Sequence, residues 1–328
     1  MNSKCVIKDY IFFSLLFAFF FILIPWQSIL PEIYFNDRLT YKVMVESGFN
    51  KILISGYYES LYSYIGYEWL WEYITYIFYE KLGFSFNSIF LSITFFNIFL
   101  SALLVAKYSK KIYMLFLLNP WYFDFIYSQS RLSLAISLIY LAFFIKRFWL
   151  ISIFICISCI FIHTSVILFL FIYLSIYLID KYFDTNKVKI IILIFLASLI
   201  SFLTGELLIS ILGSLGDRRA DAYTETNFSV GLASILPWCL ILILILIKNF
   251  NSKKNIYYSY LAIFFLTLSV LSALVFGGYS LRYLMVGYPI ILISLSNDFN
   301  FNERKIFFLF YFIYLFIGWF LRFFILWD

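Results

Sequence analysis

The chain has 328 residues, of which 64% are hydrophobic and 24% aromatic but only 13% charged, with a mean hydropathy of +0.95. Globular proteins are nearer half apolar and a quarter charged, so a soluble catalytic domain of useful size is excluded and lipid is the expected solvent. A net charge of +6 would point to nucleic acid in a soluble protein. Here the basic residues fall in short clusters between apolar runs, where they set topology rather than bind nucleic acid.

A helix needs about 20 apolar residues to cross the hydrocarbon, which predicts an all-α integral membrane protein of about ten or eleven crossings, a single polytopic domain over 1–328 with no linker. Lys4 and Lys8 precede an apolar run from Tyr10 to Leu30. That run is longer than a secretory signal core and lacks a small-x-small cleavage site, which predicts an uncleaved anchor entering from the cytoplasmic side. The later clusters are Lys107, Lys110 and Lys111; Lys146 and Arg147; Lys181, Lys187 and Lys189; Lys248, Lys253 and Lys254; Arg304 and Lys305. They mark the cytoplasmic face under the positive-inside rule. Runs alternating with them are 10–30, 85–106, 112–128, 130–145, 148–163, 164–180, 190–211, 229–247, 256–276, 281–296 and 306–326. The shorter of these suit tilted or re-entrant segments.

Two outer stretches are too polar to span. The first, 31–82, carries Asn36-Asp37-Arg38 and an aromatic segment with acids at Glu68, Glu72 and Glu80, a pattern that suits a helix lying in the interface. The second, 213–229, carries Arg218, Arg219 and Glu225, and a third outer turn ends at Arg282.

Charges kept in or beside apolar runs cost about 2.5 to 3.5 kcal/mol each at mid-bilayer, which makes them functional candidates. Arg131 follows Gln129-Ser130 and precedes Ser133 and Ser137, a small-residue packing face; it either snorkels to headgroups or faces a cavity as an anion ligand. The only histidine, His163, ends an apolar run before Thr164 and Ser165 at the same outer level, and is a packing residue or a proton carrier. Arg282, Arg218 and Arg219 reach that level from other segments, and guanidinium groups gathered at one face suit a diphosphate, because they bind it bidentately and stay charged. Asp124 and Glu206 are embedded acids that pair with these arginines or sit in water. Cys156 and Cys159 have redox-motif spacing but lie mid-span, where a thiol acts as a small hydrophobe. The sequence lacks a P-loop, a dinucleotide fingerprint, a serine-hydrolase elbow and a His/Cys metal cluster, so no metal or cofactor is expected.

Several motifs fall in a consistent order: Asp37 with Tyr41, Gly66-Tyr67-Glu68, Asn119-Pro120, Gln129-Ser130-Arg131-Leu-Ser-Leu-Ala135, and His163-Thr164-Ser165. The stretch from Asn36 to Tyr177 thereby resembles the polysaccharide polymerases of the EpsG-like and Wzy-type O-antigen family. Leu132 stands where that family usually has glutamine after the arginine, and the second half of the chain is not matched by motif. The resemblance implies a bacterial inner-membrane enzyme that joins oligosaccharide repeats carried on undecaprenyl diphosphate at the periplasmic face, beside a flippase and a chain-length regulator. It implies Asp37, Glu68 or His163 for the acceptor proton, with Asp37 favoured as base, His163 at the diphosphate or acceptor and Glu68 on sugar hydroxyls. Arg131, and by chemistry Arg218, Arg219 and Arg282, would hold the diphosphate. A lipid-linked oligosaccharide flippase, another membrane glycosyl or acyl transferase, and a membrane scaffold are the competing readings.

Overall fold

Inside a bilayer each backbone N–H and C=O must be satisfied within its own segment, so the apolar runs become helices. The computed structural model describes residues 3–30, 35–48, 64, 66, 68–204, 232–252, 256–276 and 280–324, and no strand occurs among them. In chain order the helices are α1 (Ser3–Leu23), α2 (Trp26–Ile29), α3 (Asn36–Glu46), α4 (Trp69–Tyr76, continued by a π turn over Ile77–Lys81) and α5 (Phe86–Tyr108). A 3-10 helix over Lys111–Leu117 precedes α6 (Pro120–Tyr127), α7 (Ser130–Phe144), α8 (Trp149–Ile162), α9 (Val166–Tyr182) and α10 (Asn186–Leu203). The rest are α11 (Leu232–Asn249), α12 (Tyr257–Leu271, continued by a π turn to Phe276), α13 (Ser280–Asp298) and α14 (Phe301–Phe324). Among the described residues, four helices are long and apolar enough to cross a membrane: Phe86–Tyr108, Asn186–Leu203, Tyr257–Val275 and Phe301–Phe323. Shorter apolar helices cover Asp9–Leu23, Ser130–Phe144, Trp149–Ile162 and Ser234–Asn249. The protein is an all-α membrane protein, and its basic clusters fall at or beside the connections from α5 to the 3-10 helix, α7 to α8, α9 to α10, α11 to α12 and α13 to α14.

One expectation is corrected. The run 112–128 is not one helix, because Asn119 adopts an extended conformation (φ −77°, ψ 130°) before Pro120 and starts a new one. The residue before proline is pushed out of the helical region, and proline fits the first helical turn. Asn119 Oδ1 accepts the N–H groups of Trp121 (2.8 Å) and Tyr122 (3.2 Å). The break is closed by α14, whose Trp319 indole donates to the Leu118 carbonyl at 2.7 Å and whose Tyr311 hydroxyl accepts from the Asn119 amide at 2.9 Å. Arg322 of the same helix grips Asp124 of α6 with both terminal nitrogens, so Asp124 pairs with none of the arginines anticipated for it. At α4 the structure adds a finding, because two of its three acids are buried. Glu68 and Glu72 are 4% and 2% exposed, and only Glu80, on the π turn, is exposed.

The chain forms two compact units, Met1–Ile172 with Ile306–Asp328, and Tyr173–Lys305. In the first, α5 is the central helix, packed by α1, α7, α3, α6 and the 3-10 helix, while α8 lies on α7 and α4 on α8. Its interior holds a satisfied polar network. Asn97 of α5 donates to Ser133 O (3.0 Å) and Ser137 Oγ (2.8 Å) of α7 and accepts from Tyr122 of α6 at 3.1 Å, and Tyr122 meets Ser101 at 2.6 Å. Interhelical hydrogen bonds of this kind hold helices together where lipid offers no hydrophobic drive. In the second unit α12 over Ser259–Ser269 and α13 over Tyr283–Ser296 are buried on every side. They approach so closely that a Cβ at Gly287 would stand 2.5 Å from Phe265 Cγ.

Candidate functional site

The first unit gathers two of the sequence candidates, Arg131 and His163, around the carboxylate of a third, Glu68. Glu68 caps α4 with φ 56° and ψ 47°, the single left-handed non-glycine conformation among the described residues. An L side chain pays about 1–2 kcal/mol for that backbone, and such strain concentrates where surrounding structure needs a particular side-chain direction. Here the direction delivers the carboxylate to α7 and α8. Arg131 Nη1 donates to Glu68 Oε2 in an ion pair. The Thr164 backbone N–H and hydroxyl each donate to Oε1 at 3.3 Å, and His163 Nδ1 lies 3.3 Å from the same oxygen.

Each partner is placed by the end of a helix. Arg131 is the second residue of α7; its guanidinium also stands 4.7 Å over the ring of Tyr41 from α3. Burial pushes the Tyr41 phenol up, and the adjacent Arg131 charge opposes that shift. His163 ends α8 in an extended conformation (φ −154°, ψ 119°), because the helix stops there and turns through Thr164 and Ser165 into α9. Its Nδ1 faces both the Ser165 hydroxyl (3.1 Å) and Glu68. A protonated Nδ1 donates to either oxygen, whereas a bare Nδ1 accepts from Ser165. Glu68 favours the form with a proton on Nδ1, whereas the Ser165 backbone N–H, which donates to Nδ1 at 3.3 Å, favours the bare nitrogen, so the proton at this atom is set by the balance of the two.

In the sequence around Arg131, five buried polar atoms have no hydrogen-bond partner among the described residues: Tyr127 OH, Gln129 Oε1, Ser130 Oγ, Arg131 Nε and Ser133 Oγ, all within residues 127–133. Interiors leave few such groups, and a run of them marks a place equipped to bind a polar ligand. Arg131 spends one terminal nitrogen on Glu68 and keeps its Nε unpaired, so anion-binding capacity remains. The donors and acceptors fit an anionic, hydroxyl-rich ligand; among the described residues no His/Cys/Asp/Glu group could hold a metal ion.

The other candidates distribute differently. Asp37 is in the first turn of α3, one turn before Tyr41 and half-buried. Arg282 begins α13 in the second unit, half-buried. Arg218, Arg219, Glu206 and the outer stretch 213–229 lie outside the described residues. Sequence reasoning passed over Arg38, which is 2% exposed. Its signal was its place three residues before Tyr41 on one helix, but a charge in a polar outer stretch reads as solvated until tertiary burial is known. Cys156 and Cys159 are unbridged thiols, half-buried and buried, in keeping with packing.

One comparison decides the family: the model of the EpsG family matches residues 10–326, nearly the whole chain. The chain belongs to the EpsG family. No curated protein and no solved structure matches it. The family match runs through both units of this EpsG-family protein, including the half in which no motif was legible. It makes the chain a multi-pass membrane protein of polysaccharide-polymerase type, with Glu68, Arg131 and His163 drawn together in its first unit.

Proposed function

We propose that this EpsG-family protein joins oligosaccharide repeats carried on undecaprenyl diphosphate into a surface polysaccharide, at the inner-membrane face opposite its basic clusters. The observation supporting this reading is the Glu68 cluster. It holds an arginine and a histidine on one carboxylate, and residues 127–133, which include that arginine, carry five buried polar atoms without hydrogen-bond partners among the described residues. A hydroxyl of the incoming repeat attacks the anomeric carbon of the growing chain's first sugar. The new glycosidic C–O bond forms as the bond to the phosphate oxygen breaks, and lipid diphosphate departs with the electron pair. Arg131 stabilises the charge that develops on the leaving oxygen, as preorganised donors do for any emerging anion. Glu68, already accepting from Arg131 and Thr164, is an orienting carboxylate. It holds His163 with Nδ1 toward it, and the remaining ring nitrogen takes the acceptor proton as general base. Asp37, the base favoured by sequence alone, is assigned to the acceptor's hydroxyls beside Tyr41. A flippase that hands over the repeats and a regulator of chain length are the expected partners.

The test is a polysaccharide gel from a strain lacking this gene, complemented with wild type, Arg131→Lys, His163→Gln or Asp37→Asn. Wild type should restore the ladder. Arg131→Lys should leave single repeats, since lysine keeps the charge and loses the fork, and His163→Gln should do the same. Full-length polymer from Arg131→Lys would remove the diphosphate role. If Asp37→Asn abolishes the ladder while His163→Gln keeps it, the base is Asp37. Loss of even the single repeat in the deletion strain would mark a flippase or an earlier transferase.

A further inference from the structure

Arg38 is a buried cation with no ion pair among the described residues. It is 2% exposed, yet no carboxylate among the described residues reaches it. Its guanidinium lies 5.6–5.9 Å from the ring centroids of Phe86, Phe90 and Tyr127, and it donates through Nη2 to Asn87 Oδ1 at 3.1 Å. Burial lowers its pKa to about 10, which still leaves it a cation at neutral pH. A buried charge without a counter-charge costs several kcal/mol, and rings and amides repay only part of it.

What covers it is unusual. The side-chain amide of Gln27, turned so that its oxygen faces the guanidinium, accepts from Nη1 (2.9 Å), Nη2 (2.7 Å) and Nε (3.0 Å) at once. One neutral oxygen crowded by three donors is a poor acceptor for a group whose fork matches two oxygens of a phosphate. Gln27 is itself exposed, on the short α2, while Arg38 is buried beneath it. The Tyr127 ring beside the guanidinium carries a buried hydroxyl with no hydrogen-bond partner among the described residues. On α3, Arg38 is one turn from Tyr41, which carries Arg131 on its face.

We propose that Arg38 is a phosphate-binding residue kept closed by Gln27, whose amide oxygen occupies the position an anionic oxygen takes when a phosphate ester enters. Entry swings the Gln27 side chain outward and gives the buried guanidinium the charge it lacks, with the Tyr127 hydroxyl as a further donor. The ligand is a phosphate or diphosphate monoester or diester at the outer membrane surface, either a lipid-linked diphosphate or a phospholipid headgroup. The lipid-linked source rests on the polymerase reading; the site itself does not.

The experiment is thermal unfolding of the purified full-length protein in detergent, titrated separately with farnesyl diphosphate and with phosphatidylglycerol. Gln27→Ala removes the competing oxygen and should bind at least one probe several-fold more tightly than wild type. Gln27→Glu supplies a permanent carboxylate. It should raise the melting temperature without ligand and reduce the response to both probes at least tenfold. Arg38→Gln should lose the response, but as a core change it could also unfold the protein, so the surface position carries the test. Tighter binding of farnesyl diphosphate than of phosphatidylglycerol identifies the diphosphate source, and the reverse order the headgroup; both support the site. Unchanged affinity in both Gln27 variants overturns it. A normal polysaccharide ladder alongside that result leaves the polymerase reading standing, whereas intact Gln27-dependent binding without any polymer removes that reading and keeps the anion site.

Discussion

Glu68 concentrates the site's electrostatics in one side chain. It neutralises Arg131, orients His163 and draws the Thr164 turn toward α4, and it does so from a left-handed backbone. Removing its charge leaves Arg131 without that counter-ion. Glu68→Gln should therefore destabilise the protein by about 3 kcal/mol, the usual cost of breaking a buried pair from one side, and shorten the polymer to single repeats. Thermal unfolding and the gel check this together, and wild-type stability would show that the pair does not carry its expected weight. Glu68→Asp keeps the charge but retracts it by one methylene, so it should recover stability in part and polymer length poorly, separating charge from reach.

At the scale of elements, the α6–α14 contact is where sequence pattern and structure part. The apolar runs were legible because lipid demands them, and the small-residue face of α7, Ser133 and Ser137, was legible because helical spacing puts both on one side. The break at Asn119 was not read as a break, although asparagine before proline is its signature, because an apolar run on both sides satisfied the same hydropathy argument. The burial of Glu68 and Arg38 was illegible for a different reason. Burial of a charge depends on partners from distant segments, and neither Thr164 nor Gln27 announces itself locally. Gly318 marks how tightly α14 sits on this break, since an added Cβ would meet Pro120 Cγ at 2.9 Å and Trp121 at 3.2 Å. Gly318→Ala should cost about 1–3 kcal/mol by overpacking, and Gly287→Ala more, because its clash is with the base of the Phe265 side chain rather than a movable end. Asn119→Ala should cost about 1 kcal/mol for the lost cap. Chemical or thermal unfolding ranks the three, and a neutral Gly287→Ala would contradict the α12–α13 packing.

At the scale of the whole molecule, basic clusters at or beside the connections separate the chain's termini of helices into two sets. Within the first unit, the proposed reading has the ends at Lys110 and Lys146 facing the cytoplasm and those at Arg131 and His163 the other side. Single cysteines at Ser109 and Arg147, in a background lacking native cysteines, should be labelled by an impermeant maleimide only after the membrane is opened. A cysteine at Ser128 should be labelled in intact spheroplasts. Labelling of Ser109 in intact spheroplasts would invert the topology and with it the face of the proposed reaction.

The broken segment around Asn119 also fixes an order of biogenesis. An eight-residue α6 is too short to settle in a bilayer by itself, and the groups it leaves open are met by Tyr311 and Trp319, 192 and 201 positions downstream of their partners. During synthesis the ribosome must deliver the last helix before this region of the first unit can close. Until then the nascent protein carries an unsealed polar notch at membrane depth, a natural recognition mark for quality-control proteases. Stop codons placed ahead of α14 should accordingly shorten the half-life of everything upstream, as a pulse-chase would show.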